Sequence, residues 1–166
     1  MTIDELNENN MNANNLADTV IAVATKEIGK EEIPVGSNWG PNVKMYLDSV
    51  GINFPASWCM GFVHWCYDQA CKQLCINNPL FKSGGVLSVW NHTDPNKRTT
   101  QPKPGDVFIM DFGGGLGHTG IVVSVDGDKI HTIEGNTNDT GSREGFEVCN
   151  KIRSINKCKG FIRIAA

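Results

Sequence analysis

The six cysteines of this chain are the residues whose chemistry depends most on where they lie. A cysteine acts as a nucleophile in its thiolate form, and the positive end of a helix dipole stabilises that form. Cys59 falls in the first turn of the strongest helical pattern, which we predict over residues 58–74, and no other cysteine takes such a position. We therefore expect Cys59 to be a nucleophile; the alternative interpretation is a small buried apolar residue.

A nucleophilic thiol needs a base within hydrogen-bonding reach, and the chain offers four histidines. His64 follows Cys59 so closely on the predicted helix that it points about 140° away around the axis. His92 lies in a polar segment, where we expect it to be solvated. His118 and His131 fall on two neighbouring predicted strands, so the geometry of their hairpin must decide between them.

The hairpin that joins these two strands is predicted to turn through a three-residue loop at 126–128. That loop places His118 opposite Asn136 and Gly120 opposite Glu134. Side chains of a strand alternate between faces, so the three polar residues share one face, and the small Gly120 leaves room for the carboxylate. A two-residue loop would turn Glu134 and Asn136 to the other face, because a slip of one residue flips every side chain.

The same alternation puts His131 on the opposite face, which leaves His118 as the predicted base. Three polar side chains gathered on an apolar hairpin are costly for a simple core and suit a base with its orienting groups. We therefore predict a catalytic set of four residues. Cys59 is its nucleophile, His118 is its base, and Glu134 or Asn136 holds the imidazole tautomer and stabilises the imidazolium.

The segments that must position these residues change in character near residues 104–105. Before that point, apolar residues recur at helical spacing and predict four helices, the third with Ser57 as its N-cap. The predicted helices span residues 16–28, 42–50, 58–74 and 86–91. After that point, β-branched runs between turn residues predict the five strands of a meander. The predicted strands span residues 106–112, 118–125, 129–135, 146–153 and 160–164.

Helices followed by strands indicate an α+β fold rather than alternating βαβ units. A length of 166 residues suggests one domain. Residues 1–15 are rich in asparagine and poor in apolar side chains. We therefore predict a flexible polar leader over residues 1–15, followed by a single catalytic domain over residues 16–166.

The composition excludes several classes of protein. No run approaches the roughly 18 apolar residues of a membrane helix, so we expect no membrane insertion. The net charge of -3 and the pI near 5.8 argue against a dedicated nucleic-acid partner. Residues 1–15 lack the basic start and apolar core of a secretory signal, so we expect synthesis in the cytoplasm without a signal peptide.

Five short segments around the predicted catalytic residues resemble the motifs of CHAP domains, the cysteine, histidine-dependent amidohydrolases/peptidases. These domains are relatives of NlpC-type peptidases and have a papain-like core. The segments are WCMGFV at 58–63, KPGDV at 103–107, GHTGIVV at 117–123, IEGNT at 133–137 and GFIR at 160–163. The resemblance covers roughly residues 16–165, and the combination of segments is more specific than any one of them.

The resemblance implies a papain-like α+β fold, with N-terminal helices packed on a C-terminal antiparallel β-meander or half-barrel. It also implies hydrolysis of peptidoglycan amide bonds through a cysteine acyl-enzyme. In this mechanism Cys59 attacks the carbonyl, and His118 acts first as general base and then as general acid. Glu134 orients the imidazole, and Asn136 assists it or stabilises developing charge. Backbone N–H groups at the helix start are the natural oxyanion hole.

Bond specificity stays open between an N-acetylmuramoyl-L-alanine amidase and an endopeptidase that cuts peptide crosslinks. The enzyme is expected to be lysin-like or secreted-toxin-like and to act on the cell wall after release or delivery. Its partners would then be bacterial peptidoglycan and, for a toxin, an immunity protein or delivery machinery. The alternatives are a catalytically inactive wall-binding module on the same fold and a cysteine peptidase that acts on proteins.

Two further expectations concern the surroundings of the nucleophile. Some CHAP lysins carry an acidic calcium loop just before the cysteine, where this chain has residues 48–54. Asp48 is the one carboxylate there, too few for the six to eight oxygens around calcium, so we expect no metal and no cofactor. Trp58, beside the nucleophile, is the predicted substrate-binding residue of a groove for the sugar-peptide polymer.

The other five cysteines are expected to be reduced packing residues, as in a chain made in the cytosol. Two alternatives stay open for four of them, which are Cys71, Cys75, Cys149 and Cys158. Together they are enough for a four-thiolate zinc site, although no Cys-x-x-Cys pair is present. Cys149 and Cys158 flank a predicted hairpin and are placed for a cross-strand disulfide.

Overall fold

The computed structural model describes residues 1–137 and 145–164. In this part of the chain, helices come first and strands follow, which confirms the predicted α+β fold. The helices are α1 (Ile3–Glu27), α2 (Pro41–Asp48), α3 (Cys59–Gln73) and α4 (Val86–His92), with 3-10 turns at Pro95–Lys97 and Ile155–Lys157. None of these helices has the length and hydropathy that crossing a bilayer requires.

The strands are β1 (Arg98–Thr99), β2 (Val107–Gly113), β3 (Leu116–Asp126), β4 (Lys129–Thr137), β5 (Glu147–Ser154) and β6 (Gly160–Ile162). They form one curled antiparallel sheet, a half-barrel in the order β1-β6-β2-β3-β4-β5. The five predicted strands correspond to β2–β6, whereas the two-residue β1 is too short to carry a sequence pattern.

Helix α1 begins at Ile3, well before the predicted start at residue 16. Its N-cap is Thr2, whose hydroxyl accepts from the backbone of Glu5 while the Glu5 carboxylate accepts from the backbone of Thr2. This reciprocal capping box is readable in the sequence as T-x-x-E and starts a helix without apolar periodicity. The division of the chain into a leader and a catalytic domain stays a prediction.

Helix α3 lies at the centre of the fold, in contact with α1 and α2 and with strands β3 and β4. Its N-cap is Trp58 rather than the predicted Ser57, and no side chain of the described residues caps it. The Trp58 indole is fully buried, stacks on Tyr46 at 5.6 Å between ring centroids, and donates from Nε1 to Glu32 at 3.0 Å. Buried aromatic packing therefore fixes the helix start where a polar cap was expected.

The hairpin between β3 and β4 reaches the predicted pairing by a different route. Asp126 pairs with Lys129 across a two-residue loop, so the predicted three-residue loop is wrong. A β-bulge at Val123 then adds one residue to β3 and shifts the register, so that Ile121 pairs with Ile133 as predicted. The bulge cancels the face reversal that a two-residue loop alone would cause.

Close packing between α3 and β4 requires a glycine at position 135. A Cβ added at Gly135 would lie 2.7 Å from Cζ3 of Trp58 and 2.8 Å from Cβ of Phe62. Real Cβ atoms do not approach so closely, so a larger residue would force the helix and the strand apart. Gly135 stands between Glu134 and Asn136, and the contact therefore sets the distance from α3 to the strand that carries both residues.

We expect Gly135→Ala to lower the free energy of unfolding by about 1 to 3 kcal/mol, the usual cost of overpacking a core. Urea denaturation followed by tryptophan fluorescence measures the change. The control is Ser124→Ala at an exposed position of β3, which should stay within about 0.5 kcal/mol of the parent chain. Equal midpoints for the two variants would contradict the tight contact between α3 and β4.

Candidate active site

Cys59 is the first residue of α3, and its side chain is almost completely buried. The first N–H groups of a helix have no partner within the helix, and together they carry a partial positive charge. Because no side chain of the described residues caps α3, this positive end is presented at the thiol. The structure thus places Cys59 where the sequence pattern predicts it.

His118 lies near the start of β3 and is buried between a carboxylate and a thiol. Its Nε2 is 2.8 Å from Oε1 of Glu134, and Cys59 is the other side chain that interacts with the ring. Nδ1 is buried, and no described residue lies within ordinary hydrogen-bonding geometry of it, so Nδ1 is the ring nitrogen that remains available to the Cys59 thiol. Burial disfavours the imidazolium, but the hydrogen bonds and charges of Cys59 and Glu134 outweigh burial and raise the pKa of His118 to about 9.

Glu134 on β4 is completely buried, and each of its carboxylate oxygens accepts two hydrogen bonds. Oε1 accepts from His118 Nε2 and from Nη2 of Arg153, while Oε2 accepts from Nε of Arg153 at 2.8 Å and from the Thr132 hydroxyl at 2.6 Å. Burial would raise the pKa of this carboxyl group, but Arg153 and His118 overcome burial and lower it to about 2. Glu134 is therefore a carboxylate throughout the neutral range.

Gly120 provides the space for this carboxylate, as predicted. A Cβ at position 120 would lie 2.7 Å from Cγ of Glu134 and 2.6 Å from Cε1 of Phe108. Gly120 and Glu134 therefore face one another across the hairpin, just beyond the last regular pair of the ladder, Ile121 and Ile133. The predicted neighbourhood of Cys59, His118 and Glu134 is present in the structure.

Asn136 lies two residues beyond Glu134 on β4 and is buried. Its backbone has φ 55°, a left-handed conformation that asparagine tolerates better than most residues. The ladder between β4 and β5 shifts register between Glu134 and Thr137, and the carbonyl of Asn136 accepts from the backbone of Gly145 at 3.2 Å. The left-handed backbone and the register shift interrupt the regular alternation of β4 at Asn136, so its place on the face of His118 stays a prediction.

Thr132 and Arg153 complete the site and were not predicted as members of it. The sequence does indicate that Glu134 has a cationic partner, because a carboxylate buried in an apolar hairpin needs a cation. Choosing that cation requires the register between β4 and β5, in which Arg153 stands opposite Ile130 and on the same face as Glu134. Because a long connection joins these two strands, their register cannot be predicted from the sequence.

Trp58 does not line an open groove. Its side chain is completely buried between Tyr46 and the carboxylate of Glu32, so it offers no surface to a substrate in this conformation. The prediction assumed that an aromatic residue beside the nucleophile faces the same side as the thiol. Instead the indole holds the N-terminal end of α3 against the body of the domain.

The remaining histidines lie outside the site. His64 is buried, with Nδ1 3.3 Å from the hydroxyl of Ser49, and burial lowers its pKa. His92 is exposed, but its ring stacks on Phe81 at 4.4 Å between centroids rather than being only solvated. His131 pairs with Ile152 and alternates away from the face of Glu134.

The other cysteines differ in their surroundings. Cys66 and Cys71 are buried, and burial raises the pKa of both thiols, as expected of packing residues. Cys75 is exposed at the end of α3, so its prediction as a packing residue is wrong. No disulfide links the six cysteines, all of which lie in the described residues. In that same part of the chain, no three His, Cys, Asp or Glu side chains are grouped closely enough to hold a metal ion.

Comparison with known proteins assigns this chain to a family. No curated protein and no solved structure shows significant similarity to the chain. The family model of the CHAP domain matches residues 51–136, a span that begins before Cys59 and ends at Asn136. The chain therefore belongs to the CHAP domain family, whose members are generally hydrolases of the peptidoglycan amidase and peptidase type.

Proposed function

We propose that this chain hydrolyses an amide bond of bacterial peptidoglycan through an acyl-enzyme formed on Cys59. One observation carries the proposal: a thiol at a helix start adjoins a buried imidazole whose far nitrogen is bound by a carboxylate. This is the arrangement in which a base activates a nucleophile and a third group orients the base. The bond cut is that of an N-acetylmuramoyl-L-alanine amidase or of a crosslink endopeptidase.

The first half of the reaction forms the acyl-enzyme. Nδ1 of His118 takes the proton of the Cys59 thiol, and the sulfur attacks the amide carbonyl carbon. The carbonyl oxygen becomes an oxyanion that the backbone N–H groups at the start of α3 stabilise. The imidazolium then gives its proton to the amide nitrogen, the C–N bond breaks, and the amine leaves.

The second half of the reaction restores the enzyme. His118 takes a proton from a water molecule, whose oxygen attacks the thioester carbon. The tetrahedral intermediate collapses, the C–S bond breaks, and the proton on His118 returns to the Cys59 sulfur. The products are a free amine and a carboxylic acid, in balance with one amide bond and one water.

Glu134 and Asn136 support these transfers in different ways. Glu134 accepts a hydrogen bond from Nε2 of His118, which keeps the proton of the neutral ring on Nε2 and the lone pair of Nδ1 toward the thiol. The carboxylate also stabilises the imidazolium that forms when the thiol ionises. Asn136, buried beside Glu134, is proposed to assist the imidazole or the developing charge.

Removal of the sulfur tests the proposal most directly. We expect Cys59→Ala to lose at least about 10³-fold in kcat, because the nucleophile and its base act as a unit. The substrate is purified peptidoglycan, and the readouts are turbidity and mass spectrometry of released fragments. Cys75→Ala, at the exposed cysteine, should retain the parental rate.

The products separate the alternatives. New amino groups on peptides free of sugar identify an amidase, and new peptide ends within crosslinks identify an endopeptidase. If Cys59→Ala still binds cell walls while the parent chain releases nothing from them, the chain is a wall-binding module. Cleavage of protein substrates with intact peptidoglycan would identify a cysteine peptidase of another specificity.

The pH profile tests the roles of His118 and Glu134. The pKa of His118 is raised to about 9, so the imidazolium that pairs with the thiolate is present below that pH and is lost as pH rises through it. Activity should therefore fall on the alkaline side near pH 9, as a property of the Cys59–His118 pair. Glu134→Gln should move this limb about 1 to 3 pH units lower, because an opposite charge near the imidazolium is lost.

The matched control for this substitution is Asp126→Asn, which neutralises an exposed carboxylate on the same hairpin. Its profile of kcat/KM against pH should superimpose on that of the parent chain. An unchanged alkaline limb in Glu134→Gln would show that the carboxylate does not stabilise the imidazolium.

A further inference from the structure

The carboxylate of Glu134 has a second cationic partner besides His118. Arg153 reaches it from β5 with two nitrogens, Nε to Oε2 at 2.8 Å and Nη2 to Oε1. The Arg153 side chain is 15% exposed and that of Glu134 is 0% exposed, so little water screens the pair. Two parallel hydrogen bonds of this kind fix both the plane and the charge of a carboxylate.

The ionisable groups around Glu134 come from several elements. Two of them bond to its carboxylate, and the others lie beside the pair or on the same face of β5. They are His118 on β3, Cys59 on α3, Arg153, Lys151 and Cys149 on β5, and Cys158 between β5 and β6. Of these described groups, Arg153 is the one that bonds to the carboxylate and keeps its positive charge throughout the pH range.

This permanence matters because His118 changes charge during the proposed reaction. While the imidazole is neutral, it gives Glu134 a hydrogen bond but no compensating charge. A buried carboxylate without a cation takes up a proton instead, since burial disfavours its charged form. A protonated Glu134 would no longer stabilise the imidazolium when the thiol ionises.

We propose that Arg153 is a positioning residue that keeps Glu134 ionised and correctly oriented while His118 alternates between its neutral and charged forms. Thr132 holds Oε2 from the side, so the carboxylate plane is fixed at both oxygens. Arg153 acts on the thiol only through Glu134 and His118. The inference rests on the proposed function and adds a residue from β5 to a site otherwise built by α3, β3 and β4.

The chain contains a matched control for this ion pair. Asp106, also buried, is bound by Arg163 through Nε at 3.0 Å and Nη2 at 2.8 Å. The geometry repeats that of Arg153 and Glu134, but Asp106 bonds to neither Cys59 nor His118. Loss of either arginine removes a cation that holds a buried carboxylate at two points, so both substitutions carry a similar cost in stability.

The experiment measures the rate at which iodoacetamide alkylates Cys59 as a function of pH, with mass spectrometry of the Cys59 peptide. Three variants are compared with the parent chain: Arg153→Gln, Arg153→Lys and Arg163→Gln. Removing the cation raises the pKa of Glu134, so protonation then dismantles the thiolate–imidazolium pair at a higher pH. We expect the acidic limb of the alkylation profile, where the rate falls with falling pH, to lie about 1 to 3 pH units higher in Arg153→Gln than in the parent chain.

Arg153→Lys should shift this limb in the same direction by less, because lysine keeps the charge but not the two-point geometry. Arg163→Gln should leave the limb where it is in the parent chain. Long-range ¹H–¹⁵N NMR of His118 gives a second readout. Above pH 9, where the ring of the parent chain is neutral, we expect the Nε2–H tautomer in the parent chain and a mixture of tautomers in Arg153→Gln.

The proposal would be overturned if a folded Arg153→Gln showed the same acidic limb of alkylation and the same His118 tautomer as the parent chain. An equal shift of the acidic limb in Arg163→Gln would also overturn it. If Arg153→Gln does not fold, Arg153→Lys decides, and a parental profile for that variant rejects two-point positioning. Alkylation and NMR need no peptidoglycan. A chain that fails to cut cell walls but shows these shifts would refute the proposed function and keep the role of Arg153.

Discussion

A negative charge enclosed in the protein interior is the constraint on which the rest of this structure depends. Glu134 has no exposed surface, and an isolated carboxylate there would be several kcal/mol less stable than in water. Four hydrogen bonds from three side chains compensate for that loss. Because those side chains come from β3, β4 and β5, the three strands must keep one register for the charge to be tolerated at all.

The backbone around this charge is correspondingly tight. Gly120 makes room for the carboxylate from the neighbouring strand, and Gly135 lets α3 approach β4 on the other face. Trp58 anchors the N-terminal end of the helix through Glu32, and the next residue along the helix is Cys59, which interacts with the imidazole of His118. Two glycines and one buried tryptophan thus support the position of the proposed nucleophile, in agreement with the need for rigid support around a reactive group.

Local patterns in the sequence were sufficient to find the residues that are proposed to do the chemistry and insufficient to find those that surround them. Helical and strand periodicity predicted the α+β fold, the place of Cys59 in the first turn of α3 and the shared face of His118 and Glu134. Arg153 depends on a strand pairing across a long connection, and the buried role of Trp58 depends on Glu32, which is distant in sequence. Contacts of that range are set by tertiary packing rather than by local spacing.

The predicted pairing of the hairpin was right although its loop was not, and the reason lies in the bulge at Val123. The turn has one residue fewer than predicted, and the bulge adds one residue to β3, so the two differences cancel. The face that carries His118 therefore does not depend on turn length alone. The bulge lies between the turn and the site residues, and it therefore separates the geometry of the site from the length of the turn. A change of one residue in the length of this turn can be offset by a bulge of this kind, so that the side chains of His118 and Glu134 keep their shared face.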